Sequence, residues 1–323
     1  MKRRDLLAAG AAAFGGVALR ESLAAEGEKT LAERLGFKKE DRLLLLHADD
    51  LGMCHSVNAA STRALMEGAV SCGSVMAPCP WFPEIAAWAK EHPEADLGVH
   101  LALTSEWRYY RWRPVAPPGE VKGLLDEDGF LWRSVPQVML HASPAEVETE
   151  IRAQIQRALQ FGMKPTHADS HMGTLFAHAR FFDAYVRVCK ELGVLPMLPG
   201  PTPEVILQAK LMGLDYVAMM ERLKGEGLVF LDRLDRGLKG ETYEDRKKEA
   251  YAYLRALPPG VTELIVHLSG DDEEIRHVTS AWQARFNDFR IFMDMDTRAL
   301  IREQGVKLIG YRPLAALWKK EKG

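Results

Sequence analysis

The 323-residue sequence predicts an α/β protein built as an irregular, TIM-barrel-like (β/α) barrel of seven or eight strands in a single domain. Three observations predict it. From Arg42 onward short apolar runs alternate with amphipathic stretches, the pattern of a parallel sheet wrapped by helices. Polar residues stand at the ends of several of those runs and never at their starts, and barrels of this type gather catalytic groups at the carboxyl ends of their strands. No linker, internal repeat or low-complexity segment divides the chain, whose length suits one large domain. A doubly wound sheet is the runner-up.

In order along the chain, Leu43 to Leu46 reads as a strand running into His47-Ala48-Asp49-Asp50, and Ser56 to Glu67 as a helix closed by Gly68. Cys72 to Met76 is strand-like, Phe82 to Glu91 is helical until Pro93, and Leu97 to Leu103 forms a third strand. Ser105 to His141 is irregular, rich in Trp, Tyr, Pro and Gly, and too long for a plain connection, which marks it as functional. Ser143-Pro144-Ala145-Glu146 supplies an N-cap, a first-turn proline and a capping-box glutamate in order. The helix it starts carries an apolar stripe of Ile151, Ile155, Ala158 and Leu159 and ends at Gly162, before Pro165-Thr166-His167-Ala168-Asp169-Ser170-His171. Phe181 to Glu191 is helical and Leu195 to Leu198 a short strand. Further on, the pattern predicts a helix over Gln208 to Leu223, a strand over Leu228 to Leu231 and a charged helix over Tyr243 to Leu257. Thr262 to Leu268 is a strand carrying His267, Thr297 to Gln304 a helix and Val306 to Ile309 the last strand.

Residues 1–25 stand apart. Lys2-Arg3-Arg4 precedes a small-apolar run from Leu6 to Leu19, and Ser22-Leu23-Ala24 offers small residues for cleavage, so the segment reads as an export signal. The Arg3-Arg4 pair before a weakly hydrophobic core resembles a twin-arginine signal and implies a periplasmic or extracellular protein, with residues 26–323 as the barrel domain. The apolar run is shorter than the ~20 residues a spanning helix needs, and nothing later approaches a membrane span. A formal charge of -3, from 42 Lys+Arg against 45 Asp+Glu, provides no field for nucleic acid. Four cysteines at scattered spacing do not make a disulfide scaffold or a four-thiolate zinc site; Cys54 and Cys79 could pair, or all four could be buried thiols.

Four strand ends supply the chemistry: His47/Asp49/Asp50, His100, His167/Asp169/His171 and His267, which on a closed barrel converge on one mouth. Carboxylate plus imidazole is a ligand set for a divalent ion, with a coordination position left for water. An Asp-Asp pair alone fits a solvated turn equally well, and His100 between Val99 and Leu101 fits a core histidine. His167 and His171 share a face if helical; residues 167, 169 and 171 share one if extended.

Leu46-His47-Ala48-Asp49-Asp50-Leu51-Gly52, Gly98-Val99-His100-Leu101, the Pro165 to His171 segment and a late strand ending in His267, in this order, resemble the successive motifs of the YdjC-like carbohydrate deacetylases. Arg285-Phe286-Asn287-Asp288 is similar to the family's Arg-x-x-Glu. The resemblance implies an irregular barrel related to polysaccharide deacetylases, with one divalent metal ion, zinc or magnesium, held by Asp50, His100 and His171. It makes Asp49 the candidate base and His267 the candidate general acid. Asp169 and Arg285 become supporting or substrate-orienting groups, and His167 a support of the loop. The implied reaction is hydrolysis of an N-acetyl group on an amino sugar or oligosaccharide, the reaction of a metal-dependent carbohydrate deacetylase.

Trp107, Tyr109, Tyr110 and Trp112, with arginines between them, offer flat faces for sugar rings, although one or two of them fit core packing instead. Met172-Gly173-Thr174 after His171, and Leu268-Ser269-Gly270 after His267, depart from the family's usual continuation, which bears on substrate rather than on the ligand set. Two other readings keep the barrel: a different metal-dependent sugar enzyme, such as an isomerase or another hydrolase, and an exported carbohydrate-binding protein without turnover. A monomer and a homodimer are both compatible with the sequence.

Overall fold

Strand β1 (Arg42–Leu51) is the axis of the sheet, and its four consecutive leucines are wholly buried, as a strand covered on both faces requires. In the computed structural model, which describes residues 29–211 and 215–322, seven further strands follow. They are β2 (Cys72–Val75), β3 (Leu97–Leu101), β4 (His167–Ser170), β5 (Leu195–Pro196), β6 (Arg233–Arg236), β7 (Gly260–His267) and β8 (Val306–Leu308). Every pairing is parallel, in the order β5-β4-β3-β2-β1-β7-β6. One edge of β1 pairs with β7 from Arg42 to Asp49; the other is shared, β8 taking Arg42 to Leu44 and β2 taking His47 to Leu51. The outer members of this order meet where Leu231 N donates to Leu198 O at 2.9 Å, just past β5 and just before β6. Gly200 makes that approach possible, because a Cβ there would lie 2.4 Å from the Leu231 carbonyl oxygen. The result is the expected α/β barrel, irregular at this seam.

Helices cover the outside, and the sequence explains most of them. Helix Pro144–Gln160 starts with the reciprocal capping box of Ser143 and Glu146. It buries Ile151, Ile155 and Ala158, whereas Leu159 is exposed and lies outside the stripe assigned to it. Two expectations between Pro199 and Tyr253 are corrected. Leu228 to Leu231 are buried but form no strand; the strand is the polar Arg233–Arg236, paired with Thr262 to Ile265 of β7. The apolar run marks burial at the seam, and a margin strand needs no apolar run to pair. In place of one helix over Gln208 to Leu223 there are two, Pro203–Leu211 and Tyr216–Gly225, the second opened by Asp215, whose side chain accepts from Ala218 N. All four cysteines are buried free thiols, so Cys54 and Cys79 are not bridged. The export segment expected over residues 1–25 lies outside the described residues. Among those described, no helix is long and apolar enough to cross a membrane.

The barrel interior is filled at its upper end by polar rings, and Gly98 shows how tightly. A Cβ on Gly98 would stand 2.5 Å from Cε1 of His167 and 2.6 Å from its carbonyl oxygen. Gly98→Ala is therefore expected to cost about 1–3 kcal/mol through overpacking, read as a lower thermal midpoint. An unchanged midpoint would mean that the slot is not filled as described.

Candidate active site

Neighbouring residues of a strand ordinarily face opposite sides of the sheet. β1 departs from this rule at its carboxyl end: it pairs His47 with Cys72, Ala48 with Gly73 and then Leu51 with Val75, three steps against two, which is a β-bulge. Asp50 sits in the bulge at φ 66°, the left-handed region that non-glycine residues enter only when the surroundings hold them there. As a consequence Asp49 and Asp50 meet the same rings, His100 and His267. Asn58 on the following helix braces the turn, its Oδ1 accepting from Gly52 N at 2.6 Å and its Nδ2 donating to Glu84 Oε2 at 2.7 Å.

β3 places His100 opposite Asp169 of β4. His167 and Asp169 lie two apart on an extended strand, which settles the open question of their spacing, and the chain leaves the strand at His171 through Met172 and Gly173, both at positive φ. Three donor atoms then close a triangle. His100 Nε2 is 3.2 Å from His171 Nδ1 and 3.5 Å from Asp50 Oδ1, and His171 Nδ1 is 3.4 Å from Asp50 Oδ1. Ligands about 2.0–2.2 Å from a tetrahedral ion stand roughly 3.3–3.6 Å apart, so the triangle has the right size. Among the described residues Asp50 Oδ1 is buried without a hydrogen-bond partner, while Oδ2 is taken by Arg285 Nη2 at 2.6 Å.

The rings are also turned correctly. His100 gives its Nδ1 to Asp169 Oδ1 at 2.7 Å, and His171 gives its Nε2 to Glu106 at 3.1 and 3.2 Å, so each ring has one nitrogen fixed by a carboxylate and the other aimed into the triangle. This is how metal-binding imidazoles are held in one tautomer. The neighbouring group of His47, His167 and Asp169 does not suit an ion, because the two Nε2 atoms are 2.9 Å apart, closer than two ligands of one tetrahedral ion stand.

Asp49 lies beside the triangle. Its Oδ1 is 2.8 Å from His47 Nδ1, and its Oδ2 is 3.8 Å from His100 Nε2 and 4.0 Å from His267 Nε2. His267 closes β7 and keeps 40% of its side-chain surface open, the most accessible ring of the group.

A model of the family described as YdjC-like protein matches residues 43–303. The chain belongs to the YdjC-like family. It is 33% identical to a carbohydrate deacetylase of Thermus thermophilus, over 84% of this chain and 94% of that one. It is 28% identical to a carbohydrate deacetylase of Geobacillus stearothermophilus, over 84% and 97%. The fold matches the crystal structure of a putative cellobiose-phosphate cleavage protein from Enterococcus faecalis with a TM-score of 0.70, at 20% identity, over 85% of this chain and 99% of that one.

Charge in this YdjC-like site is set by burial working against close partners. Burial opposes ionisation of Asp50, but Arg285, then His171 and His267, hold its carboxyl well below the usual range. Asp49, likewise buried, is held down to about 2 by His100 and His47. Burial lowers His171, yet Glu106 and Asp50 outweigh it and raise the ring to about 10; His100 is raised in the same way by Asp169 and Asp49. His267 is lowered by loss of hydration and by Arg285.

The aromatic loop divides. Trp112 is buried with its ring 6.3 Å from that of His171, and Trp107 packs edge-on against it at 5.2 Å and lies 6.0 Å from the Arg285 guanidinium. Both border the site. Tyr109 does not: it is 78% exposed and lines a groove of about 360 Å³ with Tyr110, Glu273, Glu274, His277 and Val278. Glu150 and Gln154 anchor the loop from the helix below, Glu150 accepting from Val115 N and Ala116 N and Gln154 bonding Ala102.

Nothing in the local sequence marks Asn58, Glu263 or Tyr311; Glu106, directly after the His100 strand in an aromatic-rich loop, carries a signal as a carboxylate close to a candidate ligand. Because neighbouring carboxylates raise the pKa of His171 and of His100, a divalent ion taking these rings would have to displace protons, and one ion per chain is expected to bind more weakly as pH falls. Glu106→Gln is expected to weaken it a further 10- to 100-fold or so at fixed pH. Calorimetric titration with zinc measures both; affinity independent of pH, or two ions per chain, would contradict the assignment.

Proposed function

We propose that this enzyme removes the acetyl group from an N-acetylated amino sugar or oligosaccharide, with one divalent ion held by Asp50, His100 and His171. The observation that carries the reading is the donor triangle, each imidazole oriented by its own carboxylate. The relatives' name, carbohydrate deacetylase, points the same way. Two imidazoles and one carboxylate at tetrahedral spacing favour zinc over magnesium, which takes oxygen ligands in an octahedron with neighbouring ligands only about 2.8–3.0 Å apart. When bound, such an ion polarises the acetyl carbonyl and makes water a nucleophile near neutral pH.

The chain's own residues do the rest. Asp49, ionised and with Oδ2 facing the site, takes the proton from the attacking water. The lowered pKa of His267 leaves its ring neutral at rest, so the proton it delivers to the departing amine is the one Asp49 has just taken, across the 4.0 Å between Oδ2 and Nε2. The water oxygen bonds to the carbonyl carbon, the bond from that carbon to the sugar nitrogen breaks, and acetate and a free amine leave, with the second proton of the water released to solvent. Arg285 fixes Asp50 through Nη2, which holds that carboxylate in its place at the site. Trp112 beside His171, and Trp107 packed against it, border the site and limit the access of water. Export is part of the same proposal and is supported by the basic, apolar and small-residue order of residues 1–25.

Acetate release from N-acetylated oligosaccharides is the direct assay. Asp49→Asn and His267→Gln are each expected to lower kcat by about 10²- to 10⁴-fold with the bound metal retained. Sugar conversion without acetate would favour an isomerase instead, and binding without product a carbohydrate-binding protein.

A further inference from the structure

Beneath Asp49 the barrel holds a second polar group that neither the ligand set nor the substrate wall uses. His47, His167 and Glu263 are fully buried, and Tyr311 is nearly so. Tyr311 donates its hydroxyl to Glu263 Oε2 and stacks on His167 with ring centroids 3.7 Å apart. The hydrogen bonds fix where the protons lie. Thr166 has one hydroxyl proton, which goes to Asp96 Oδ1 at 2.6 Å, so its oxygen accepts from His167 Nδ1 at 3.0 Å. That leaves His167 Nε2 as an acceptor, and the proton in the 2.9 Å contact between the rings belongs to His47 Nε2.

Among the described residues, the other nitrogen of His47 faces carboxylate oxygens, Asp49 Oδ1 at 2.8 Å and Glu263 Oε1 at 3.6 Å. A bare Nδ1 there would set lone pair against lone pair in a site closed to water, so Nδ1 also carries a proton. Its approach to Asp49 lacks in-line hydrogen-bond geometry, and the pairing is mainly one of charge. The titration tendencies agree with this direction of donation. Burial pushes His47 down, but Glu263, Asp49 and Asp169 outweigh it and raise it to about 9, whereas burial and the neighbouring rings hold His167 well below its ordinary value.

We propose that His47 is a positioning residue for the base: supported from below by His167, it holds Asp49 Oδ1 and leaves Oδ2 as the oxygen turned to the reacting water. Glu263 and Tyr311 flank His47 and keep its ring in place. The inference rests on the deacetylase reading for its kinetic consequence, and for its geometry on the Thr166–His167–His47 hydrogen bonds and the 2.8 Å charge pairing of His47 with Asp49.

Two measurements test it separately. With selectively ¹⁵N-labelled histidine, the His47 signals, identified by their loss in His47→Leu, are expected to report both ring nitrogens protonated at pH 7, with and without zinc, while His167 carries one proton, on Nδ1. A bare nitrogen on His47 overturns the proposal whether or not the protein releases acetate. In the acetate assay, His47→Leu is expected to lower kcat by about tenfold or more with KM and bound zinc unchanged, and Tyr311→Phe to lower it less in the same manner. Should the leucine variant fail to fold, Tyr311→Phe carries the kinetic arm, and the ¹⁵N signals are then assigned through His167→Gln. An unchanged kcat, or a loss that follows loss of zinc, shows a merely structural role and overturns the proposal.

Discussion

A strand's alternation forbids two adjacent side chains from entering the same side of a barrel, and the site requires that two adjacent carboxylates do so. The bulge in β1, with Asp50 at φ 66°, is where the chain resolves this conflict. It places Asp50 against His100, His171 and Arg285 and Asp49 against His47 and His267, so the proposed ligand and the proposed base come from consecutive residues. The left-handed conformation is unfavourable for aspartate, and the attraction of Asp50 to Arg285 at 2.6 Å, with the bracing of Gly52 by Asn58, offsets it.

Once two carboxylates are buried there, electrostatics dictates the surroundings. A buried charge without a partner is far more costly than the marginal stability of a domain allows, so each must meet an opposite one. The structure answers with alternating carboxylates and imidazoles: Glu106, His171, Asp50, His100, Asp169, and in the layer below Asp49, His47, Glu263. The same alternation gives the site its chemistry, since it turns two imidazole nitrogens and one carboxylate oxygen toward a common point.

The parts of this that local sequence expresses were legible. Leucine runs of full burial, the capping box at Ser143 and Glu146, and polar residues at four strand ends identify the barrel and its mouth without any structure. Other parts depend on contacts distant in sequence. Glu263 reads as one more polar residue of an apolar strand until Tyr311, 48 positions later, is seen to donate to it. Glu106 looks like a loop carboxylate until His171, 65 positions away, turns its Nε2 toward it. β6 was missed because its pairing runs through the backbone of Arg233–Arg236 and needs no apolar side chains. The aromatic loop divides for the converse reason: four aromatics in six positions share a loop but not a face, so Trp112 stands beside His171 and Trp107 beside Trp112 and Arg285, while Tyr109 is exposed along a groove.

Whether the triangle of Asp50, His100 and His171 is a metal centre is the claim on which the chemical account depends. Anomalous diffraction at the zinc edge from crystals grown with zinc tests it most directly. The account predicts one ion, about 2.0–2.2 Å from Asp50 Oδ1, His100 Nε2 and His171 Nδ1. Zinc seated between His47 and His167, or no ion in the barrel mouth, would contradict it.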